Sequence, residues 1–125
     1  MKKIDIKYAG ISNVNFSLTK ETDDREPKFK RQRLERGFDD TEIWALRDTI
    51  AKFIIPRLKV FMKMDCCHPV NMKSLKQWRR KLNHILIALE LVARDDGTFE
   101  LTEKESGQYI KGMKLLQKHF IDLWN

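Results

Sequence analysis

The stretch from Arg36 to Lys63, RGFDDTEIWALRDTIAKFIIPRLKVFMK, constrains the fold more than any other part of the chain. Its apolar residues recur at Ile43, Trp44, Leu46, Ile50, Phe53, Ile54, Leu58, Phe61 and Met62. That spacing draws one stripe along a helix and leaves charged residues on the opposite side. Asp39 with Glu42 three residues later forms a capping box, and Phe38 with Ile43 fits a hydrophobic staple around it. Asp39, Asp40 and Glu42 also complement the positive end of the helix dipole. The acidic cluster therefore reads as a helix cap and not as a metal site. A helix is predicted over residues 40–64. Pro56 sits inside it, where its ring clashes with the Lys52 carbonyl and it offers no N–H. The stripe keeps phase on both sides of the proline, so a kink near Pro56 is expected rather than a break. Trp44 and the phenylalanines of the stripe are expected in the core.

Two further helices follow. Residues 65–71, DCCHPVN, read as a connection, with Asn71 placed to cap a helix over 72–94. The stripe of that helix is Leu75, Trp78, Leu82, Ile85, Leu86, Leu89 and Val92. Lys73, Lys76 and Arg80 lie on its other face, flanked by Arg79 and Lys81. Asp95-Asp96-Gly97-Thr98 is a turn or helix stop. Thr102 with Glu105 is a second capping box, opening a helix over 103–123. In that helix Tyr109, Met113, Leu116, Phe120 and Leu123 follow an a/d seam. Amphipathic helices joined by short loops predict a mainly α chain, an antiparallel three-helix bundle over residues 37–125.

Residues 1–36 read as a hairpin and arm ahead of the bundle. Ile4, Ile6 and Tyr8 alternate with polar residues, as do Val14, Phe16 and Leu18, and Gly10 lies between the runs. Period-two alternation around a glycine predicts a short β-hairpin. A polar linker then runs to Pro27, and a basic arm from Lys28 to Arg36.

The net charge of +7 is unevenly distributed. Residues 1–38 carry 10 basic and 6 acidic side chains, and residues 66–94 carry 6 and 1. The other two segments are balanced (39–65) or net negative (95–125). This distribution points to an anionic partner, met through the arm and the middle helix. Lys28, Lys30, Arg31 and Arg33 with Lys73, Lys76 and Arg80 are the candidate contacts. Phe29 is placed to stack on a base. Trp124 is the tryptophan most exposed to a protein interface.

Other chemistries find little support. No run of apolar residues is long enough to span a membrane. Charges in Ile4-Asp5-Ile6-Lys7 interrupt any signal peptide core. Cys66 and Cys67 are adjacent, which suits two reduced thiols in a cytosolic protein better than a disulfide. Asp65, Cys66, Cys67 and His68 lack the two-to-four-residue cysteine spacing of zinc sites. His84 and His119 sit on helices with nothing to pair them with a nucleophile. No phosphate-cradling glycine loop or hydrolase elbow is present. No catalytic residue, metal or cofactor is therefore expected. The expected role is a non-enzymatic interaction protein with a protein partner. Nucleic-acid binding through the same cations is the alternative, and a virion or assembly component that self-associates by the hairpin edge is a third reading.

Arg36-Gly37-Phe38-Asp39-Asp40, Trp44, Leu46, Thr49–Phe53 and Ile55–Lys59, with the ending Phe120–Asn125, resemble a group of small uncharacterised proteins encoded by bacteriophages. These follow the pattern W-x-L-D-x-x-I-A-x-x-I-x-P-x-L and end in L-W; Arg47 stands here at the aspartate. The resemblance spans residues 28–125. It implies a viral origin and a host-cytoplasm location, and no mechanism.

Overall fold

A computed structural model describes residues 16–64, 68–69, 72–94 and 100–124. Helix accounts for 73% of these, and no strand occurs among them, so the chain is mainly α. The expected turn at residues 95–98 and the first strand of the expected hairpin lie outside the described residues. Its second strand is described only from Phe16 onward, where residues 16–20 have no regular secondary structure. The elements are α1 (Glu26–Arg36), α2 (Asp40–Trp44), α3 (Leu46–Lys63), α4 (Leu75–Val92), α5 (Glu103–His119) and a 3₁₀ turn (Phe120–Asp122). They fall into two compact units that divide between Phe53 and Ile54, inside α3.

In the first unit the basic arm is a helix. Pro27 is tolerated because it occupies the first turn, where an N–H has no intrahelical partner. The helix ends at Gly37, whose φ of 88° places it in the left-handed region, with its N–H on the Arg33 carbonyl. Asp39 then caps α2 as expected. Its carboxylate accepts the Thr41 N–H at 2.8 Å, and Glu42 Oε2 accepts the Asp39 N–H at 2.7 Å.

The predicted helix over 40–64 is interrupted at Ala45, whose φ and ψ are −115° and 54°, and not at Pro56. Thr49 Oγ1 donates to the Glu42 carbonyl across the interruption at 2.8 Å and satisfies a group the short helix leaves open. Trp44 is the last residue of α2, directly before the break. It is exposed, packing edge-on against Phe29 and lying under the Arg25 guanidinium. Ile43, Leu46, Ile50 and Phe53 are also exposed, whereas Ala51 is buried.

The core of this unit is Phe29 and an ionic cluster. Arg33 is buried, and Nη1 donates to Asp39 Oδ2 at 2.6 Å while Nη2 pairs with Glu26. Residues 16–18 lie against the same cluster. Leu18 N–H donates to Thr41 Oγ1 at 2.9 Å, Phe16 N–H to Glu42 Oε1 at 3.1 Å, and Arg33 Nη1 also to Ser17 Oγ at 3.2 Å. Asp39 is 0% exposed. Burial alone would raise its pKa, but hydrogen bonds from Ser17, Thr41 and Arg33 outweigh it and hold the carboxyl below its ordinary value.

In the second unit α4 begins three residues later than expected, capped by Ser74 rather than Asn71, with Gln77 N–H on Ser74 Oγ at 3.1 Å. Its stripe packs as the spacing predicts: Trp78, Leu82, Ile85, Leu86 and Leu89 are buried, joined by Ala88. Arg79 holds the end of α3, donating from Nε to the Met62 carbonyl at 2.8 Å and from Nη2 to Met64 at 3.3 Å. A cationic side chain on a helix C-terminus satisfies open carbonyls and complements the dipole.

Helices α4 and α5 form an antiparallel hairpin. His119 packs edge-on against Trp78 with ring centroids 5.2 Å apart, Gly112 lies against His84 and Ala88, and Glu105 pairs with Arg94 at 2.5 Å. Those three α5 residues are seven apart, one per two turns. The contact line is thus turned by roughly 60° from the predicted seam, at 100° per residue. Gly112 and His119 are the buried residues of α5, and Phe120 of the expected seam is exposed. The seam turned because a glycine lets the backbones approach and because His119 fills the space beside Trp78. Its Nδ1–H donates to Asp122 Oδ2 at 3.0 Å, at the 3₁₀ turn that replaces the last part of the predicted 103–123 helix.

Two pairs of substitutions test these contacts. A Cβ at Gly112 would lie 2.4 Å from both Ala88 Cβ and the His84 carbonyl oxygen, whereas one at Gly107 meets nothing within 4 Å. Overpacking against backbone costs about 1–3 kcal/mol, against a helix-propensity gain of about 1 kcal/mol. Chemical denaturation should therefore show Gly112→Ala destabilised and Gly107→Ala stabilised by up to about 1 kcal/mol. Asp39→Ala leaves Arg33 short of a counterion and removes a cap, and should cost about 3–5 kcal/mol. Because the Asp39 pKa is lowered by folding, its contribution is present above the ordinary carboxylate range and lost as pH falls through and below it. The acid limb of the stability profile should flatten in the variant.

Candidate functional site

The hairpin of α4 and α5 builds a groove on one side of the Gly112 crossing. Gln77, Arg80, Lys81 and His84 of α4 line it with Lys111, Lys114 and Leu115 of α5, around about 360 Å³. The positions on α4 are three, one and three apart, which is one face of a helix; Lys111, Lys114 and Leu115 repeat the pattern on α5. Four cations therefore surround one concavity, and no carboxylate is among its described lining residues.

That arrangement has an electrostatic cost visible on His84. The imidazole is half-buried. Burial first, then the charges of Lys111, Arg80 and Lys81, lower its pKa below the ordinary imidazole value. The ring is accordingly held neutral by an environment already crowded with positive charge. Gln77 adds a hydrogen-bonding group. Its Oε1 accepts the Lys73 N–H at 2.9 Å, so the end it can offer the groove is the NH₂ donor. Four cations and an amide donor, with no carboxylate among the described lining residues, describe a site for an anion. A second concavity of about 570 Å³, lined by Lys59, Met62, Lys63, Arg79 and Leu86, has its guanidinium engaged on the α3 carbonyls.

The sequence-derived residues separate into three groups. Arg80 lines the groove, Lys76 is exposed one helical turn before it, and Lys73 is exposed just ahead of the helix. Lys28, Lys30 and Arg31 are exposed on α1 in the first unit, with Lys28 Nζ 3.8 Å from Asp40. Phe29 and Arg33 are not surface residues. Phe29 is 1% exposed beside Trp44, and Arg33 is enclosed by Glu26 and Asp39. A helix through the arm turns these two inward, so neither is presented to a base or a phosphate. Trp124 is 73% exposed.

Sequence reasoning missed Lys111, Lys114 and His84 as site residues. The two lysines lie in a segment whose net charge is negative, and segment totals conceal a one-sided distribution. Their spacing of three, next to a glycine, was the available signal.

Among the described residues no group of three or more histidine, cysteine, aspartate or glutamate side chains is placed to hold a metal. Asp65, Cys66 and Cys67 lie outside those residues; His68 is described, with Nδ1 3.1 Å from the Pro69 carbonyl oxygen. No described helix is long and apolar enough to cross a membrane. Comparison with protein-family models, with curated proteins and with solved structures finds no match.

Proposed function

We propose that this chain is a non-enzymatic binding protein that grips a nucleic-acid backbone through the α4–α5 hairpin. The observation that carries this reading is the groove with Arg80, Lys81, Lys111 and Lys114 on its walls and no lining carboxylate. Cations gathered in one concavity repel one another, and a polyanion relieves that repulsion while releasing its own counterions. Lys73 and Lys76 extend the charge along α4. The contacts are to phosphates, so the binding is indifferent to base sequence.

The likeness of residues 28–125 to small phage proteins supports an accessory factor acting in a host cytoplasm. The buried Leu58 and the Arg79 bridge to Met62 support α3, from Ile54 onward, as the third helix of an antiparallel bundle. A protein partner is the second reading, favoured by Phe120, Ile121 and Trp124, which expose apolar side chains together at the end of the last turn.

Fluorescence anisotropy with a random-sequence oligonucleotide tests the first reading. Affinity should fall steeply with salt, and Lys111→Ala with Lys114→Ala should reduce the slope of log K against log salt by about 0.7–0.9 per lost contact. Absence of binding at low salt ends it. Substituting Phe120 and Trp124 together should leave this binding intact, and should abolish capture of a protein partner if the second reading holds.

A further inference from the structure

One side chain in the groove is an imidazole, the group whose ordinary titration lies closest to neutral pH. His84 lines the wall beside Arg80 and Lys81 of its own helix and faces Lys111 and Lys114 across from α5. We propose that His84 is a proton-carrying ligand of this groove: it takes up a proton from solvent as a tetrahedral oxyanion, a phosphodiester or sulfate, enters, and donates an imidazolium N–H to it. The proposal rests on the polyanion reading and adds the coupling of that binding to pH.

The geometry carries it as follows. His84 is seated by its main chain, because its carbonyl oxygen forms the floor of the Gly112 crossing. The helix pairing thus fixes the backbone from which the ring reaches the groove wall. With the groove empty, a fifth positive charge beside Arg80, Lys81, Lys111 and Lys114 is unfavourable, and partial burial withholds the water that would screen it. Such a ring is a poor donor, with one N–H. An oxyanion reverses the sign of the local field. It supplies the negative charge no lining residue provides, and the second N–H gained on protonation becomes a further donor to it. Binding and protonation then favour each other, and linkage makes the effect equal in both directions. The acceptor is a singly or doubly charged oxyanion rather than a carbonyl ligand, since the surrounding groups are cations and the NH₂ of Gln77.

Sulfate is the discriminating probe, because its charge is constant across the range in which histidine titrates. Isothermal titration with sulfate, and anisotropy with a phosphodiester oligonucleotide, should be run between about pH 8 and about pH 5.5, the range that brackets an ordinary imidazole. In the unaltered chain affinity should rise several-fold as pH falls. In His84→Gln, which keeps the main-chain seat and a neutral donor, that rise should be absent while binding at the alkaline end is retained. The Cε1 proton resonance of His84 should titrate at higher pH in saturating sulfate than without it, each tenfold gain in affinity corresponding to about one pH unit. A pH dependence unchanged in His84→Gln, or a His84 titration that sulfate does not move, overturns the proposal. If that happens while the oligonucleotide still binds with a steep salt slope, the polyanion reading stands alone. If neither sulfate nor the oligonucleotide binds at low salt, both fall.

Discussion

The close approach of α4 and α5 at Gly112 is the contact on which the second unit depends. With no Cβ in the way, the α5 backbone lies directly on the His84 carbonyl and the Ala88 methyl. That seat sets the register of the hairpin, so that Trp78 meets His119 at one end and Arg94 meets Glu105 at the other. It also brings the lysines of α5 opposite the basic turn of α4. A wider crossing, spaced by any ordinary side chain, would separate the two rows of charge and dissolve the concavity between them. Packing and site are thus one feature seen from two sides of the same helix pair.

Two of the three predicted helix caps were legible in the sequence, and the relations between helices less so. Both capping boxes, at Asp39–Glu42 and Thr102–Glu105, occur where their spacing places them, because a cap depends only on residues within one turn. The α4 stripe was equally legible, since its partners are all large and apolar. The α5 seam was not. Hydrophobic periodicity gives weight to Met113 and Phe120 and none to Gly112 or His119, yet small size and a ring that stacks decided the contact. The interruption at Ala45 had no marker stronger than the proline eleven residues on, and Trp44 lies outside the core assigned to it. In the basic arm, Phe29 and Arg33 read as surface residues along the sequence, although both are buried on α1. Four residues apart on a helix, they share one inward face.

The two units treat buried or crowded positive charge in opposite ways. Arg33 is sealed among Glu26, Asp39 and Ser17, so its charge is neutralised within the chain and has no call on an outside partner. The groove cations have no such counterpart in the lining. A buried guanidinium with two carboxylates is a device of structure; four cations around a half-buried imidazole meet no carboxylate among the described residues of their groove. Telling the two apart required knowing where each side chain points, which no count of lysine and arginine along the sequence provides.

Asp39 performs two tasks at once: its carboxylate caps α2 and neutralises Arg33 of α1. A helix of five residues is too short to persist alone, because nucleation outweighs the few hydrogen bonds gained. It exists only while its cap is fixed, and the cap is fixed by a guanidinium on another element. Undocking α1 would therefore uncap α2, and unwinding α2 would strand the charge of Arg33. The first unit has no half-assembled form of low energy. Its helices should appear and disappear together, as a single cooperative step in folding, with the segment around Ser17 held only as long as both are present.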